Sequence, residues 1–118
     1  MFLERLSTIS SRIEGAEALS LVAEDGIPIE SVNARADLDL ELLAAELVSQ
    51  ARSISSDQRE LAVGEVQQFA VTTDRYTFIV SVVAKGYYLL LVLGERGIYG
   101  RARFELRRAK LLFEKDLV

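Results

Sequence analysis

The chain has 118 residues, of which 50% are hydrophobic and 27% are charged, and its net charge is −4. These values are typical of one globular domain, residues 1–118, built around a single core. The sequence contains no cysteine and no histidine. That excludes disulfides, Ser-His and Cys-His catalysis, and tetrahedral zinc or iron–sulfur sites. We therefore expect a non-catalytic protein without a cofactor or a metal, and the cytoplasm as its compartment.

The charge is distributed unevenly along the chain. From Glu95 onward there are seven basic and four acidic residues, which gives +3, so the remainder carries −7. A nucleic-acid surface would need a denser basic patch with interleaved aromatic residues, so no nucleic-acid partner is expected. The longest apolar run, Tyr87–Leu93, is too short to cross a bilayer.

The chain is predicted to begin with a helix and a hairpin. Apolar residues recur there at helical spacing: Phe2, Leu3, Leu6, Ile9 and Ile13. They predict a short amphipathic helix that Gly15 caps at its C-terminal end. Strands at 16–23 and 27–33 follow, joined by a turn in which Gly26 takes a positive φ. Pro28 offers no amide hydrogen to a ladder, which predicts that its strand lies at a sheet edge.

The second part of the chain predicts a long helix, three strands and a closing helix. Asp37 or Asp39 should cap the long helix, which runs to about Ser55 and frays over 53–59. Extended segments at 65–73, 76–84 and 87–93 follow, with turns at 74–75 and 85–86. The last segment is apolar on both faces and should be the central strand. The closing helix is marked by a stripe: Ile98, Ala102, Leu106, Ala109 and Phe113.

The element order α-β-β-α-β-β-β-α predicts an α/β (α+β) fold. It fits a five-stranded antiparallel sheet with helices on both faces. The sequence has no internal repeat, linker or low-complexity segment.

The long helix is apolar on two sides. Its main stripe should face the sheet: Leu40, Leu43, Ala44, Leu47, Ala51 and Ile54. A second rib lies on roughly the opposite side: Leu38, Leu42, Ala45 and Ser49. A helix that is apolar on two sides should be buried on two sides, so this rib predicts contact with a second copy. The alternative is that Leu38 and Leu42 lie under a neighbouring loop.

The strand at 65–73 is half polar and contains no proline, so nothing comparable to Pro28 blocks its edge. Two copies that pair antiparallel about a two-fold axis would extend the sheet, and the same axis could join the second ribs. The interface residues predicted on this strand are Val66, Gln68, Ala70 and Thr72. The alternative is an ordinary solvated edge strand.

Three motifs suggest ligand chemistry but fail in detail. The glycine-rich segment 94–100 lacks both the Lys-Ser or Lys-Thr of a P-loop and the spacing of a dinucleotide fingerprint, so a close strand-to-helix turn is expected. Asp37, Asp39 and Glu41 lack the glycine and the remote glutamate of a calcium hand, which favours helix capping. The arginines of the closing helix could include one that reaches into a GTPase site, but Arg103 and Arg107 are expected on a solvated face.

Four segments occur in a succession that spans almost the whole chain. They are 13–16 at the end of the first helix, 21–29 in the hairpin, Leu43-Ala44-Ala45-Glu46 in the long helix, and 100–109 in the closing helix. This succession resembles the Roadblock/dynein-light-chain family. The resemblance implies a profilin-like sandwich that dimerises through the third strand and the long helix, the two elements that the residue pattern also indicates.

The family resemblance also implies a function. Family members regulate or scaffold small Ras-like GTPases, and bacterial members often promote hydrolysis by a gliding-type GTPase by arranging that GTPase's own residues. It therefore implies a homodimer that binds a small Ras-like GTPase and is not itself a hydrolase. Glu41, Glu46 and Arg52 are the predicted contacts with this partner. No catalytic residue is carried over, since no family motif for one matches here.

An alternative function is a small-molecule sensor or a purely structural dimer. A sensor needs a cavity with a few convergent polar groups. The aromatic or polar candidates near the core are Tyr76, Tyr87, Tyr88 and Ser81, which are also consistent with packing alone.

Overall fold

The computed structural model describes residues 2–33 and 37–117, without the side chains at 33, 58, 59 and 116. The described elements follow the predicted order: α1 (Leu3–Ser11), β1 (Ala16–Ala23), β2 (Pro28–Asn33), α2 (Leu40–Glu60), β3 (Gln68–Thr72), β4 (Thr77–Ala84), β5 (Tyr87–Leu93) and α3 (Tyr99–Asp116). The predicted fold class is therefore confirmed.

The five strands form one antiparallel sheet in the order β2-β1-β5-β4-β3. The most apolar strand, β5, lies at the centre, as the sequence predicts. Its residues alternate between the two cores: Leu89 and Leu91 pack on one side of the sheet, and Leu90 packs on the other. Pro28 lies in β2 at one edge of the sheet, and β3 forms the other edge.

Helices cover both faces of the sheet. The α1 and α3 helices pack on one face, where the larger core joins Leu6 and Ile9 of α1 to Leu106 and Phe113 of α3. The α2 helix packs on the other face through Ala44, Leu47, Val48 and Ala51. Burying one large aliphatic or aromatic side chain contributes about 1.5–3 kcal/mol, so these two cores hold the layers together.

The long helix begins as predicted but ends later. The carboxylate of Asp39 accepts a hydrogen bond from the backbone N–H of Leu42 at 3.1 Å, which caps the helix at its N-terminal end. The prediction of fraying after Ser55 is wrong, because α2 continues to Glu60. In its last turns Ile54 is partly buried, whereas Ser56, Asp57 and Glu60 are exposed. Neither α2 nor any other helix in the described ranges is long and apolar enough to cross a membrane.

The third strand begins later than predicted, at Gln68 instead of Glu65. The connection from α2 contains two residues with positive φ, Ala62 at 56° and Gly64 at 98°. These residues turn the chain, and the ladder to β4 begins only where Gln67 O accepts the N–H of Val82.

The role of Gly15 differs from the predicted helix cap. The C-cap of α1 is Arg12, and Gly15 lies beyond it with a φ of 85° in the turn into β1. A Cβ on Gly15 would lie 2.5 Å from the backbone nitrogen of Gly97. Glycine is therefore needed here for both its conformation and the close approach of two loops.

Candidate interaction surface

The outer strand β3 carries backbone hydrogen-bonding groups on its open edge. Its ladder to β4 includes the Val82 N–H bond to Gln67 O at 2.9 Å and the Thr73 N–H bond to Tyr76 O at 2.8 Å. Bonded and non-bonded pairs alternate along an antiparallel ladder. The backbone groups that point away from β4 therefore belong to the residues in alternate positions: Gln68, Ala70 and Thr72. No strand within the described ranges lies beyond this edge.

The predicted interface residues of β3 present their side chains on the α3 side of the sheet. Gln68 Oε1 accepts a hydrogen bond from Arg103 Nε at 2.9 Å. The hydroxyl groups of Thr72 and Thr77 lie 3.1 Å apart. Ala70 packs against the core that α1 and α3 cover. These side chains are therefore engaged within the protomer, while their backbone groups face outward.

Two apolar residues on the opposite side of β3 were missed by the sequence reasoning. Phe69 and Val71 are half-buried and pack against the core beneath α2. Both lie on the face of the sheet that α2 covers, beside the open edge. The strict alternation of a strand would have identified them, since they occupy the odd positions between Gln68 and Thr72.

Val66 was predicted to lie in the third strand, and this part of the prediction is wrong, whereas its place in an interface stays a prediction. It precedes β3, whose first residue is Gln68. Val66 instead lines a groove of about 1020 Å³ between the C-terminal half of α2, the two hairpin turns and the approach to β3.

The four residues of the second rib differ in their exposure and in what they contact. Leu42 is 67% exposed and Ser49 is also exposed, at the crest of the helix. Ala45 faces the first hairpin, where a Cβ on Gly26 would lie 3.0 Å from Ala45 Cα. Leu38 precedes the helix and is half-buried against the small core of Leu40. For Leu38, packing within the protomer is therefore the observed arrangement, and only Leu42 remains as a large exposed apolar residue of the rib.

The three predicted partner contacts are exposed residues of α2. Glu46 accepts a hydrogen bond from the amide of Gln50 at 3.1 Å. Arg52 donates to the backbone carbonyl of Glu24 at 3.3 Å, which ties the helix to the first hairpin. By helical phase, Glu41 and Arg52 lie on the flank toward this hairpin, and Glu46 lies on the other flank. The structure therefore does not gather the three charges into one cluster.

The connection between α2 and β3 adds two exposed apolar side chains that the sequence reasoning did not include. Leu61 is 67% exposed and Val63 is 68% exposed. Their connection leads directly into the open edge of β3. Together with Leu42, Phe69 and Val71, they define what we call the edge face.

The groove beside α2 is polar and open, unlike a ligand cavity between layers. Its lining includes Arg52, Lys85 and Tyr88. Burial raises the pKa of the Tyr88 hydroxyl; the charge of Arg52 opposes this shift and that of Glu24 adds to it.

The remaining candidate residues for a small-molecule sensor pack within the protein. Tyr76 stacks at a tilt against Phe78, with ring centroids 5.9 Å apart. Ser81 is buried opposite Gln68, and Tyr87 packs against the larger core.

The glycine-rich segment after β5 forms the predicted close turn. The N–H of Gly97 bonds to Gly94 O at 3.0 Å, and the N–H of Gly94 bonds to Gly15 O at 2.8 Å. A Cβ on Gly97 would lie 2.1 Å from Leu93 Cγ, so the turn packs directly on the core. Within the described ranges, no group of three acidic residues is placed to hold a metal ion, and Asp39 serves as a helix cap.

The five-stranded antiparallel sheet with helices on both faces and one open edge is an α+β sandwich. Solved structures of similar architecture identify its fold. The chain is similar to a Roadblock/LC7 domain from Streptomyces avermitilis, at 19% identity over 94% of this chain and 92% of that one, with a TM-score of 0.84. It is similar to the gliding protein MglB from Thermus thermophilus, at 20% identity, 92% and 82% coverage and a TM-score of 0.83.

A third similar structure has higher sequence identity. MglC from Myxococcus xanthus is 27% identical, with 98% of each chain covered and a TM-score of 0.71. No protein-family model and no curated protein sequence matches the chain. The chain has the Roadblock/LC7 fold, and the family resemblance predicted from its residues is confirmed.

Proposed function

We propose that this chain is a non-catalytic regulatory or scaffolding domain that forms a homodimer and binds a small Ras-like GTPase. The observation that carries the dimer is the open edge of β3. Its outward backbone groups lie at Gln68, Ala70 and Thr72, and the connection that leads into this strand carries the exposed apolar Leu61 and Val63. Unpaired edges and exposed apolar patches in one place favour association with another chain.

A two-fold axis perpendicular to the sheet would satisfy both features at once. Antiparallel pairing of the two β3 strands forms a continuous ten-stranded sheet, with both α2 helices on one side of it. The side chains of Phe69 and Val71 would then be covered near the axis. Leu42 lies in the first turn of α2 and Leu61 follows its last residue, so they would be covered farther out along the two helices. One solved structure of similar fold is described as MglB with tetrameric arrangement, at 20% identity and a TM-score of 0.87, which supports self-association as a property to test.

The proposed GTPase contact is the polar surface that two α2 helices would present on that side. Glu41, Glu46 and Arg52 are exposed there and carry charges of both signs, which favours selection of a charged partner surface. The family resemblance supplies the class of partner. Solved structures of similar fold include one described as the gliding protein MglB and one of MglC.

The proposal is tested with a small Ras-like GTPase from the same genome, loaded with GDP or with a non-hydrolysable GTP analogue. Calorimetry should detect binding in one nucleotide state, and Glu46→Lys should weaken it about tenfold, as expected for a contact of about 1–2 kcal/mol. Glu114→Lys, an equal charge change on α3, is the matched control and should not weaken it. A dimer that binds no such GTPase in either state contradicts this part.

GTP hydrolysis separates regulation from scaffolding. A regulatory dimer accelerates single-turnover hydrolysis by the bound GTPase, and a scaffold leaves the rate unchanged while it still binds. Because no catalytic residue of this chain is proposed, any acceleration should depend on residues of the GTPase itself. Loss of acceleration on mutation of the GTPase alone would agree with that view.

A further inference from the structure

The outer ridge of α3 is both apolar and basic. By helical phase, Phe104 and Leu111 lie opposite the core stripe of this helix, and they are 51% and 65% exposed. Arg108 and Lys115 share the same ridge at four-residue spacing and are also exposed. The edge face lies elsewhere, so this ridge has no part in the proposed dimer or GTPase contact.

A buried carboxylate holds two arginines around the apolar ridge. Glu105 is almost completely buried, and its carboxylate lies 3.1 Å from Arg108 and 3.9 Å from Arg101. Each guanidinium lies 5.9 Å from the centre of the Phe104 ring. About half of each arginine side chain remains exposed. The ridge therefore presents an exposed aromatic side chain flanked by two cations that share one buried carboxylate.

The neighbouring helix α1 extends the basic surface. A shallow cavity of about 410 Å³ lies between α3 and the strands β3 and β4. A second one, of about 400 Å³, lies between α3 and α1. Arg5 and Arg12 of α1 line the second cavity beside Leu112, and Glu4 is the one acidic residue among the described residues of that lining. Arg5 also donates a hydrogen bond to the backbone carbonyl of Leu112 at 3.3 Å, which joins the two helices.

Dimerisation through β3, if it occurs as proposed above, would double this surface. Lys110 donates to Gln67 at 2.6 Å and Arg103 donates to Gln68 at 2.9 Å, so α3 lies next to the dimer edge. A two-fold axis perpendicular to the sheet would place both α3 ridges side by side, on the face opposite the two α2 helices.

We propose that the α1–α3 face binds the surface of an anionic lipid bilayer. Clustered arginine and lysine residues complement anionic headgroups, and exposed Phe and Leu side chains can enter the interface between headgroups and acyl chains. Nucleic acid gains little from an exposed leucine such as Leu111. The apolar side chains also project from the crest of a helix rather than lining a groove, which favours a flat, deformable lipid surface over a partner helix.

The test is sedimentation of the full chain with vesicles of phosphatidylglycerol and phosphatidylcholine in equal parts, and with pure phosphatidylcholine vesicles. Binding is expected only with the anionic vesicles and should weaken as salt is raised from about 50 to about 300 mM, values chosen to vary charge screening. Arg107 is exposed on α3 and lines the cavity of about 410 Å³, and Lys115 lies on the ridge. Arg107→Glu with Lys115→Glu should weaken binding at least about thirtyfold, since each basic residue near such a surface contributes about fivefold. Leu111→Ser should weaken it about tenfold.

Arg101 and Arg108 are left intact in this design, because removing them would leave the buried carboxylate of Glu105 without its charge partners. Arg75→Glu with Lys85→Glu changes the net charge by the same amount at turns outside the α1–α3 face, and should bind nearly as the original chain does. Equal losses in both double variants would overturn the proposal. So would binding to soluble polyglutamate or duplex DNA without binding to anionic vesicles.

Light scattering on the same protein preparations, before vesicles are added, measures the oligomeric state. It separates the lipid-surface proposal from the dimer proposal. A monomeric chain that still binds anionic vesicles supports the lipid surface and contradicts the dimer. A folded dimer that binds neither kind of vesicle contradicts the lipid surface alone.

Discussion

The two edges of the sheet are protected in different ways. At the β2 edge, Pro28 lacks an amide hydrogen, and the register to β1 shifts between Leu21 and Val22. The backbone N–H of Phe2 also donates to the Glu30 carboxylate at 3.1 Å, so the start of the chain lies against this edge strand. Proline, irregular register and covering segments are the devices that keep an edge strand from pairing.

The β3 edge has none of these devices within its described residues. Its register to β4 is regular from Gln68 to Thr72, and no proline interrupts it. Exposed Leu61 and Val63 lead into it, and Phe69 and Val71 lie beside it on the α2 face. A sheet with one protected and one unprotected edge is suited to forming a closed pair of protomers rather than an open fibre.

The largest effect is expected from a proline at the unprotected edge. Ala70→Pro removes an outward amide that makes no bond within the protomer, so the monomer should fold, while both copies lose a bond across the two-fold axis. We expect the dimer dissociation constant to rise about a hundredfold, as measured by analytical ultracentrifugation. Ala70→Ser keeps the amide and should remain dimeric. If both variants are dimeric, the β3 pairing is wrong.

A charge at the crest of α2 should have the next largest effect. Replacing Leu42 and Ala45 together with glutamate should give a folded monomer, but Ala45 abuts the first hairpin, so Leu42→Glu alone is the cleaner change. It should raise the dissociation constant at least about tenfold, because a carboxylate would be buried at the seam. Leu111→Glu, at a similarly exposed leucine on α3, should leave the dimer unchanged. Equal effects of the two changes would argue against an α2 seam.

A smaller effect is expected from unblocking the protected edge. Pro28→Thr restores an amide hydrogen, but the register shift and the Phe2–Glu30 contact remain. The protein should stay dimeric, and its free energy of unfolding should change by no more than about 1 kcal/mol, as measured by urea unfolding. Tetramers or fibres in this variant would mean that Pro28 alone protects the edge, and the comparison of the two edges would need revision.

The smallest effect concerns pH at the protected edge. The hydrogen bond from the Phe2 N–H lowers the pKa of the Glu30 carboxyl below its usual value. A lowered folded-state pKa adds stability above the unfolded pKa, about 4.3, and this contribution is lost as the pH falls through the folded value. Glu30→Gln should therefore reduce stability slightly near neutral pH, and the difference should disappear once the pH has fallen below the folded-state pKa. Urea unfolding at several pH values measures the difference, and a gap that widens toward low pH would contradict the assignment.

The fold was largely predictable because the apolar periodicity of each segment matches the face that the segment buries in the structure. The bounds of β1 and β5 match the prediction, since both are strongly apolar strands that end at clear turn residues. The central place of β5 and the edge place of Pro28 follow from burial and hydrogen bonding alone. The end of α2 was harder to predict, because its last turns are polar and show little apolar periodicity. The helix nevertheless continues through them to Glu60.

The role of β3 and α2 in an interface stays a prediction, but the structure shows how the chosen residues are oriented. On β3 the sequence pattern favoured the polar residues. The structure turns Gln68 and Thr72 toward α3 and turns Phe69 and Val71 toward α2. Which face of an edge strand meets which helix depends on the sheet order, which a single sequence does not specify. Leu38 was misplaced for a related reason, since it precedes the helix whose periodicity it was assigned to.

Amide hydrogen exchange along β3 tests the unprotected edge most directly. Phe69 and Val71 donate their amides to β4 within one protomer, whereas Ala70 and Thr72 can be protected only by a second chain. At concentrations well above the dissociation constant, we predict that Ala70 and Thr72 exchange as slowly as Val71, and that dilution releases them selectively. Rapid exchange at Ala70 and Thr72 beside a protected Val71, at every concentration, would contradict pairing through β3.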